Sequence, residues 1–232
     1  MTTTSLKLLV VGRGKTGSLV AEVASARGHS VRAVGSAENA GGKALTPEAL
    51  ADIDVVVDFT TPRAVVENVE ACARARKNIV VGTTGWYDEM ERVGEMVKKG
   101  GIGFVYGANF SIGVNLFFDI ARAAAVAFEH GYEGRILERH HVQKKDAPSG
   151  TAMALRKVLQ EVRAGELLIG SEREGEVVGY HELVLESDAD TITLSHNAKS
   201  RRGFAEGAVR AAEWIAHRKG FYDFKDVWRS LR

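Results

Sequence analysis

Cysteine, proline and long apolar runs are all scarce in this chain. Its 232 residues include one cysteine, Cys72, and three prolines. A single cysteine excludes an internal disulfide and fits a reducing compartment, so we expect a cytoplasmic protein. The apolar run at positions 8–11 lies between Lys7 and Gly12. It is too short for a signal-peptide core or a membrane span, and we therefore expect no membrane partner.

An excess of charge of either sign is also missing. Lysine and arginine number 31 and aspartate and glutamate 30, which leaves a formal net charge of +1. This balance gives no general attraction to nucleic acid, so we expect no such partner. The sequence contains no internal repeat and no low-complexity segment. Its length and its hydrophobic content of 45% suit a globular protein with one large core or two modest ones.

Glycine, by contrast, is frequent, with 25 residues, and three of them lie close together near the N-terminus. A buried strand is predicted at 6–11 and a helix at 18–27. Between them the chain reads Gly12-Arg13-Gly14-Lys15-Thr16-Gly17. Gly-x-Gly-x-x-Gly between a strand and a helix is the setting of the dinucleotide-binding fingerprint. A P-loop interpretation fails, because that motif needs a glycine where the chain has Leu9.

Further strand patterns at 30–34, 53–59, 78–81 and 102–106 alternate with helical patterns that end near position 76 and span about 88–99. This alternation predicts a Rossmann-like, doubly wound parallel sheet, whose ligands bind beyond the carboxyl ends of the strands. The segments 12–17, 58–60, 82–85 and 107–111 would then lie along one edge. Any one of them alone is equally well explained as a turn.

The pattern changes after position 108. A long apolar helix is predicted up to about position 129, followed by strands at 135–142, 176–185 and 191–195 and a helix at about 151–163. These elements predict a smaller α+β domain with an open mixed sheet. A last helix at 204–217 is assigned to the first sheet, which needs both faces covered. We therefore expect a dinucleotide-binding domain at 1–108 and 204–232, and a substrate-binding and oligomerisation domain at 109–203.

The segment 138–151 has an unusual mixture of residues. It holds two adjacent histidines, several charges and a Pro-Ser-Gly-Thr sequence that opens a helical pattern. Histidine exchanges protons near neutral pH, lysine neutralises a carboxylate, and the N–H groups at a helix start bind anions. On a strand, His140 would share a face with Glu138 while His141 points the other way. Structural roles for the histidines, and simple capping by Ser149 and Thr151, remain open. A zinc site is disfavoured because no partner cluster of Cys or His accompanies the pair.

His-His-x-x-Lys-x-Asp-Ala-Pro-Ser-Gly-Thr-Ala, at 140–152, resembles the signature of the dihydrodipicolinate reductase family of lysine biosynthesis. The resemblance extends to the N-terminal glycine loop and to segments 81–85, 107–111 and 203–210. It implies hydride transfer from NADH or NADPH to a cyclic dicarboxylate, 4-hydroxy-tetrahydrodipicolinate. The product would be tetrahydrodipicolinate, with loss of water. It also implies a homotetramer formed through the second domain.

The resemblance implies a role for each matching position, with no metal. His140 and Lys144 would be the catalytic proton donors. The substrate would be held by His141, Ser149, Gly150 and Thr151. The cofactor would be bound by Gly12, Arg13, Gly14, Lys15, Thr16, Gly17, Ser36, Phe59, Gly82, Thr83, Thr84, Ala108, Asn109, Phe110 and Ser111.

The chain departs from the family pattern at the cofactor. Ser36 lies where many members have an acidic residue, and Lys15-Thr16 replaces a more usual Arg-Met. Glu38 could accept the adenosine ribose, or Ser36 with Arg13 or Lys15 could accommodate a 2′-phosphate. The choice between NADH and NADPH therefore stays open. Two other functions also remain: a different NAD(P)-dependent dehydrogenase of the same two-domain plan, or a non-catalytic dinucleotide sensor.

Overall fold

A computed structural model describes residues 4–162 and 165–231. The described residues form two compact units, one made of 4–111 with 202–231 and the other of 112–162 with 165–201. The predicted end of one helix, Arg163, lies outside the described residues. Among the described helices, none is long and apolar enough to cross a membrane.

The first unit begins with alternating strands and helices. They are β1 (Lys7–Val11), α1 (Lys15–Ala26), β2 (Ser30–Val34), α2 (Pro47–Leu50), β3 (Val55–Asp58), α3 (Pro62–Arg74), β4 (Asn78–Val81), α4 (Met90–Gly100) and β5 (Gly103–Tyr106). The second unit follows in the chain. Its elements are α5 (Ile112–Ala124), β6 (Glu133–His140), α6 (Gly150–Gln160), β7 (Leu168–Arg173), β8 (Tyr180–Glu186) and β9 (Thr191–Asn197). The chain then completes the first unit with α7 (Arg202–Ile215), β10 (Gly220–Asp223) and α8 (Phe224–Val227).

The sheet of the first unit is parallel throughout, with the strand order β10-β5-β4-β3-β1-β2. Its central strands are fully buried, which explains continuous apolar runs such as Val55-Val56-Val57. Helices α3 and α4 share a core with the sheet, and α1 packs against α7. The Rossmann-like prediction is confirmed. The loops after β1, β3, β4 and β5 leave from one edge, where ligands bind in such folds.

The second unit has a mixed sheet with the order β7-β6-β8-β9. Strand β7 runs parallel to β6, whereas β8 and β9 are antiparallel to their neighbours. One face is covered by α5 and α6, whose residues Phe117, Leu155 and Leu159 pack with Ile136 and Leu183 of the sheet. The prediction of a smaller α+β unit with an open mixed sheet is confirmed.

The sequence patterns missed β7 and β10, which are both edge strands, and several predicted boundaries were wrong. Strand β8 begins at Tyr180 rather than at position 176, because the chain turns at Gly175 with φ +45°. The apolar helix predicted up to position 129 ends at Ala124, and 3-10 turns continue to His130. Strand β6 ends at His140 rather than at position 142. His141 therefore lies beyond the strand, and alternation along a strand does not determine its direction.

Candidate active site

The three glycines of the loop after β1 have two different roles. A Cβ on Gly12 would lie 2.1 Å from the carbonyl oxygen of Phe59, and one on Gly17 would lie 2.0 Å from the carbonyl oxygen of Gly12. These two positions therefore need glycine for close backbone packing. A Cβ on Gly14 would meet nothing within 4 Å. Because α1 begins at Lys15, Gly14 leaves open surface beside a helix N-terminus, which suits a pyrophosphate.

An ion pair joins the loop after β1 to the loop after β2. The Glu38 carboxylate accepts a hydrogen bond of 2.6 Å from Gly35 N and lies 3.0 Å from Nη1 of Arg13. Arg13 also donates to the carbonyl of Ala33. Ser36 is exposed, as is Lys15, and Thr16 is half-buried. The carboxylate fixed at the end of β2 is thus that of Glu38, an alternative that the sequence left open.

Two aromatic rings meet where β3 and β5 end. The centroids of Phe59 and Phe110 are 6.3 Å apart, and a Cβ on Gly82 would lie 2.2 Å from the Phe59 ring. Thr83, which follows Gly82 in the sequence, is buried. Thr84 and Ala108 are exposed. In the segment after β5, the side chain of Asn109 accepts a hydrogen bond from Ser111 N. The structure thus brings together Phe59, Gly82 and Phe110 from three separate predicted segments.

In the second unit, the centre of the candidate site is a buried carboxylate. Glu138 is 0% exposed and hydrogen-bonds to Nδ1 of His140. Its other oxygen lies 3.0 Å from Nη1 of Arg173 and accepts a longer hydrogen bond of 3.3 Å from Ser149 N. With Nδ1 held by Glu138, Nε2 is the nitrogen of His140 left for proton exchange. A Cβ on Gly179 would lie 3.2 Å from that nitrogen.

Burial and charge act in opposite directions on the two partners. Burial lowers the pKa of His140, the hydrogen bond to Glu138 opposes this, and the positive charges of Lys144 and Arg173 add to the lowering. For Glu138, burial raises the pKa, but hydrogen bonds from His140, Ser171 and Arg173 outweigh it, and the net pKa is lowered. The carboxylate is therefore kept ionised and able to accept the Nδ1 proton.

A short loop after β6 carries Lys144. Its ammonium lies 2.8 Å from both carboxylate oxygens of Asp146. Arg173 donates to the carbonyls of Asp146, at 2.6 Å, and of Lys144, at 3.3 Å, so the loop is attached to the guanidinium that also contacts Glu138. Nδ1 of His141 is buried and has no hydrogen-bond partner among the described residues.

Helix α6 starts beside this loop. Ser149 is its N-cap, and the Ser149 hydroxyl accepts from Ala152 N at 3.2 Å and hydrogen-bonds to Nε2 of His181 at 3.0 Å. Gly150 has open space where its Cβ would be, and Thr151 is half-buried. Ser149 therefore caps the helix, and the open start of α6 can still receive an anion.

Sequence reasoning missed two residues of this site, His181 and Arg173. His181 is the cross-strand partner of Glu138, and its pKa is lowered to about 4 by burial and by the field of His140. Neither residue has a sequence signal of its own, because strand register brings both to the site. Glu138, His140 and His181 could each offer a ligand atom, all within 4.8 Å of one another. Since Glu138 already contacts a guanidinium, we interpret the cluster as a hydrogen-bond network and assign no metal to it.

A parallel sheet with a Gly-x-Gly-x-x-Gly loop after its first strand, joined to a second unit with a mixed sheet, defines a two-domain dinucleotide-binding protein of the Rossmann class. Two family models, described as the N-terminus and the C-terminus of dihydrodipicolinate reductase, match residues 6–110 and 113–228. The chain belongs to the dihydrodipicolinate reductase family.

Curated relatives match over nearly the whole chain. The 4-hydroxy-tetrahydrodipicolinate reductase of Christiangramia forsetii is 35% identical over 242 residues, covering 97% of this chain and 99% of the relative. That of Methanospirillum hungatei is 34% identical, covering 96% and 98%. Among solved structures, dipicolinate-bound dihydrodipicolinate reductase from Paenisporosarcina sp. TG-14 has a TM-score of 0.80 at 24% identity, covering 97% of this chain and 100% of that one. This last similarity supports the fold.

Proposed function

We propose that the chain catalyses the NAD(P)H-dependent reduction of 4-hydroxy-tetrahydrodipicolinate to tetrahydrodipicolinate, a step of lysine and diaminopimelate biosynthesis. The observation that carries this proposal is the buried Glu138–His140 pair, with Lys144 and the open start of α6 close to it in the sequence. The names of the curated relatives support the same reaction.

The reaction needs a proton as well as a hydride. Loss of the 4-hydroxyl together with a ring proton, as water, would make the ring conjugated. Reduced nicotinamide supplies the hydride when it is bound, and the electron density left on the ring then takes up a proton. Glu138 holds Nδ1 of His140, which leaves Nε2 to deliver that proton. Lys144 is the second proton donor, and Asp146 fixes the position of its ammonium.

The substrate's carboxylates need donors and positive charge. The N–H groups at Gly150 and Thr151, together with the Ser149 hydroxyl, would hold one carboxylate at the start of α6. His141 contributes a further polar contact. The Arg173 guanidinium compensates the charge of Glu138, so that the buried carboxylate does not repel an anionic substrate.

The first unit would hold NADH or NADPH. Gly12, Gly14 and Gly17, with Arg13, Lys15 and Thr16, would surround the pyrophosphate. Phe59, Gly82, Thr83, Thr84 and the segment Ala108, Asn109, Phe110 and Ser111 would lie on the nicotinamide side. The adenosine end would reach Ser36 and the Glu38–Arg13 pair, where the choice between NADH and NADPH is made.

We also propose a cytoplasmic homotetramer assembled through the second unit. Leu168 on β7 is 72% exposed and Ile192 on β9 is 41% exposed, so both edge strands of that sheet present apolar side chains. Light scattering coupled to size-exclusion chromatography would measure the assembly. A monomeric mass would refute it.

The proposed reaction is tested with substrate made in situ from pyruvate and aspartate semialdehyde by a synthase. Nicotinamide absorbance is followed with NADH and NADPH in parallel. We expect oxidation that requires the substrate, and a loss of turnover on the order of a hundredfold or more in His140→Ala with dinucleotide binding unchanged. Dinucleotide binding without nicotinamide oxidation would favour a sensor, and nicotinamide oxidation that occurs only with another substrate would favour a different dehydrogenase.

A further inference from the structure

Strand β3 of the first unit ends in a fully buried carboxylate, that of Asp58. Its Oδ1 accepts three hydrogen bonds: from Thr60 N at 3.0 Å, Thr60 Oγ1 at 2.7 Å and Thr83 Oγ1 at 2.8 Å. Its Oδ2 accepts one, from Asn68 Nδ2 at 2.7 Å. Among the described residues, no lysine, arginine or histidine forms an ion pair with it. Burying a carboxylate without a cation lowers the stability of the fold. The presence of one here therefore calls for a functional explanation.

The hydrogen bonds continue beyond Asn68 as a hydrogen-bond series with a fixed direction from donor to acceptor. Asn68 Oδ1 accepts from Asn39 Nδ2 at 2.8 Å, and Asn39 Oδ1 accepts from Ala44 N at 3.2 Å. A backbone N–H can only donate, so Asn39 must turn its oxygen to Ala44 and its NH₂ group to Asn68. Asn68 must then turn its own NH₂ group to position 58. The hydrogen-bond series therefore has to end on an acceptor. An amide at position 58 would place its NH₂ group against either the NH₂ group of Asn68 or the backbone N–H of Thr60.

This hydrogen-bond series joins three loops at the carboxyl edge of the sheet. Asn39 and Ala44 follow β2, Thr60 follows β3 and Thr83 follows β4. Thr83 is connected further, because its hydroxyl accepts from Thr60 N at 2.7 Å and its carbonyl accepts from Trp86 Nε1 at 2.9 Å. The loops after β2 and after β4 carry residues assigned above to opposite ends of the dinucleotide.

We propose that Asp58 is a positioning residue for the nicotinamide cofactor, one that sets the spacing of the loops after β2, β3 and β4 without touching the cofactor itself. The inference rests on the proposed function, which assigns these loops to the dinucleotide. It gives the buried carboxylate a purpose, because one acceptor aligns the adenosine and nicotinamide ends together.

The test compares Asp58→Asn with the double variant Asp58→Asn/Asn68→Asp. In the single variant the hydrogen-bond series has one donor too many. In the double variant the amide oxygen at position 58 keeps its bonds from Thr60 and Thr83, and the NH₂ group donates to the new carboxylate at position 68. The other oxygen of that carboxylate accepts from Asn39, so every bond is restored. Glu213→Gln is the control for stability, because it weakens a half-buried ion pair between Glu213 on α7 and Arg27, the residue after α1, outside these loops.

NADH and NADPH affinities are measured by fluorescence titration, thermal stability by calorimetry, and kcat and KM by absorbance. We expect Asp58→Asn to raise Kd and the cofactor KM about tenfold or more while kcat changes much less, since one charged hydrogen-bond acceptor is lost. The double variant should return Kd to within about threefold of wild type, on the same hydrogen-bond count. Glu213→Gln should lower the melting temperature and leave Kd unchanged.

A folded Asp58→Asn with wild-type Kd would overturn the inference, and so would a folded double variant that fails to recover affinity. Asn39→Ala, at the other end of the hydrogen-bond series, leaves Asp58 in place and should also raise Kd. If Asp58→Asn does not fold, a folded Asn39→Ala with unchanged Kd would overturn the inference. A wild-type protein that binds neither dinucleotide would instead refute the cofactor site itself, and the role of Asp58 with it.

Discussion

Glu138 and His140 lie on the same face of β6, and the Glu138 carboxylate accepts a hydrogen bond from Nδ1 of the imidazole. The carboxylate is fully buried and is held from its other side by Arg173. This arrangement fixes the orientation of the imidazole ring and determines which of its nitrogens is free. The relationship makes Glu138 a positioning residue for the proposed proton donor.

Glu138→Gln should lower kcat/KM about tenfold to a hundredfold and leave the dinucleotide Kd unchanged. The hydrogen bond to Glu138 raises the pKa of His140, so its weakening lets that pKa fall further. His140 acts as an acid, so activity falls as pH rises through its pKa, and this limb should move to lower pH in the variant. A pH–rate profile measures it. Glu172→Gln, which breaks an exposed pair with Arg139, is the control, and an unmoved limb in Glu138→Gln would contradict the role.

Adjacent lysines allow a matched comparison on the loop after β6. Lys144 is held by Asp146, whereas Lys145 is exposed. Lys144→Ala should reduce kcat on the order of a hundredfold, because a positioned proton donor is lost. Lys145→Ala should stay within about twofold of wild type, as expected for an exposed surface charge. Steady-state kinetics at saturating cofactor separates the two, and equal losses would show that only the net charge of the loop matters.

Two glycines of the first loop should fail in different ways. In Gly17→Ala the new Cβ would clash with the Gly12 carbonyl oxygen, so the melting temperature should fall. Gly14→Ala has free space in the protein and should keep its stability but lose dinucleotide affinity, because the methyl group occupies the side open to the pyrophosphate. Calorimetry and fluorescence titration measure the pair. A stable Gly14→Ala protein with wild-type affinity would place the pyrophosphate elsewhere.

Stability should depend on pH through His181. Burial lowers its folded-state pKa to about 4 from 6.5, so the native state binds fewer protons than the unfolded state. The free energy of unfolding that depends on a neutral His181 is fully present above pH 6.5 and is lost as pH falls toward 4. Its magnitude is about 3 kcal/mol at most. His181→Gln keeps a polar partner for Ser149 and does not titrate, so its stability should vary less over this range. Urea unfolding at several pH values measures the difference, and parallel curves for the two proteins would exclude His181.

Sequence patterns predicted most of the parallel sheet because its central strands are buried on both faces and its strands are followed by glycine-rich or polar turns. Strands β2 and β4 have the predicted boundaries. The missed strands, β7 and β10, lie at sheet edges. In Leu168–Arg173 one face meets solvent, and the apolar content that marks a central strand is lacking.

In the candidate site, too, some residues could be predicted from short sequence patterns and others could not. Segments that are contiguous in sequence, such as the glycine loop and 138–151, carry their own patterns. Arg173, His181 and Asp58 act through partners 35, 32 and 25 residues away, respectively Glu138, Ser149 and Thr83. Such contacts depend on strand register and strand order, which short-range periodicity does not specify.

The pairing of β7 with β6 also restricts how the gene can change in length. Arg173 lies beside His140 in this parallel register, and its neighbours in sequence are Glu172 and Glu174. An insertion or deletion of one residue inside β7 would replace the guanidinium beside Glu138 with a carboxylate, placing like charges together. Length changes in the connection before the strand would leave that pair intact and raise the loop-closure free energy only slightly. Natural indels and engineered fusions should therefore be tolerated in the connection between α6 and β7 and eliminated between Leu168 and Arg173.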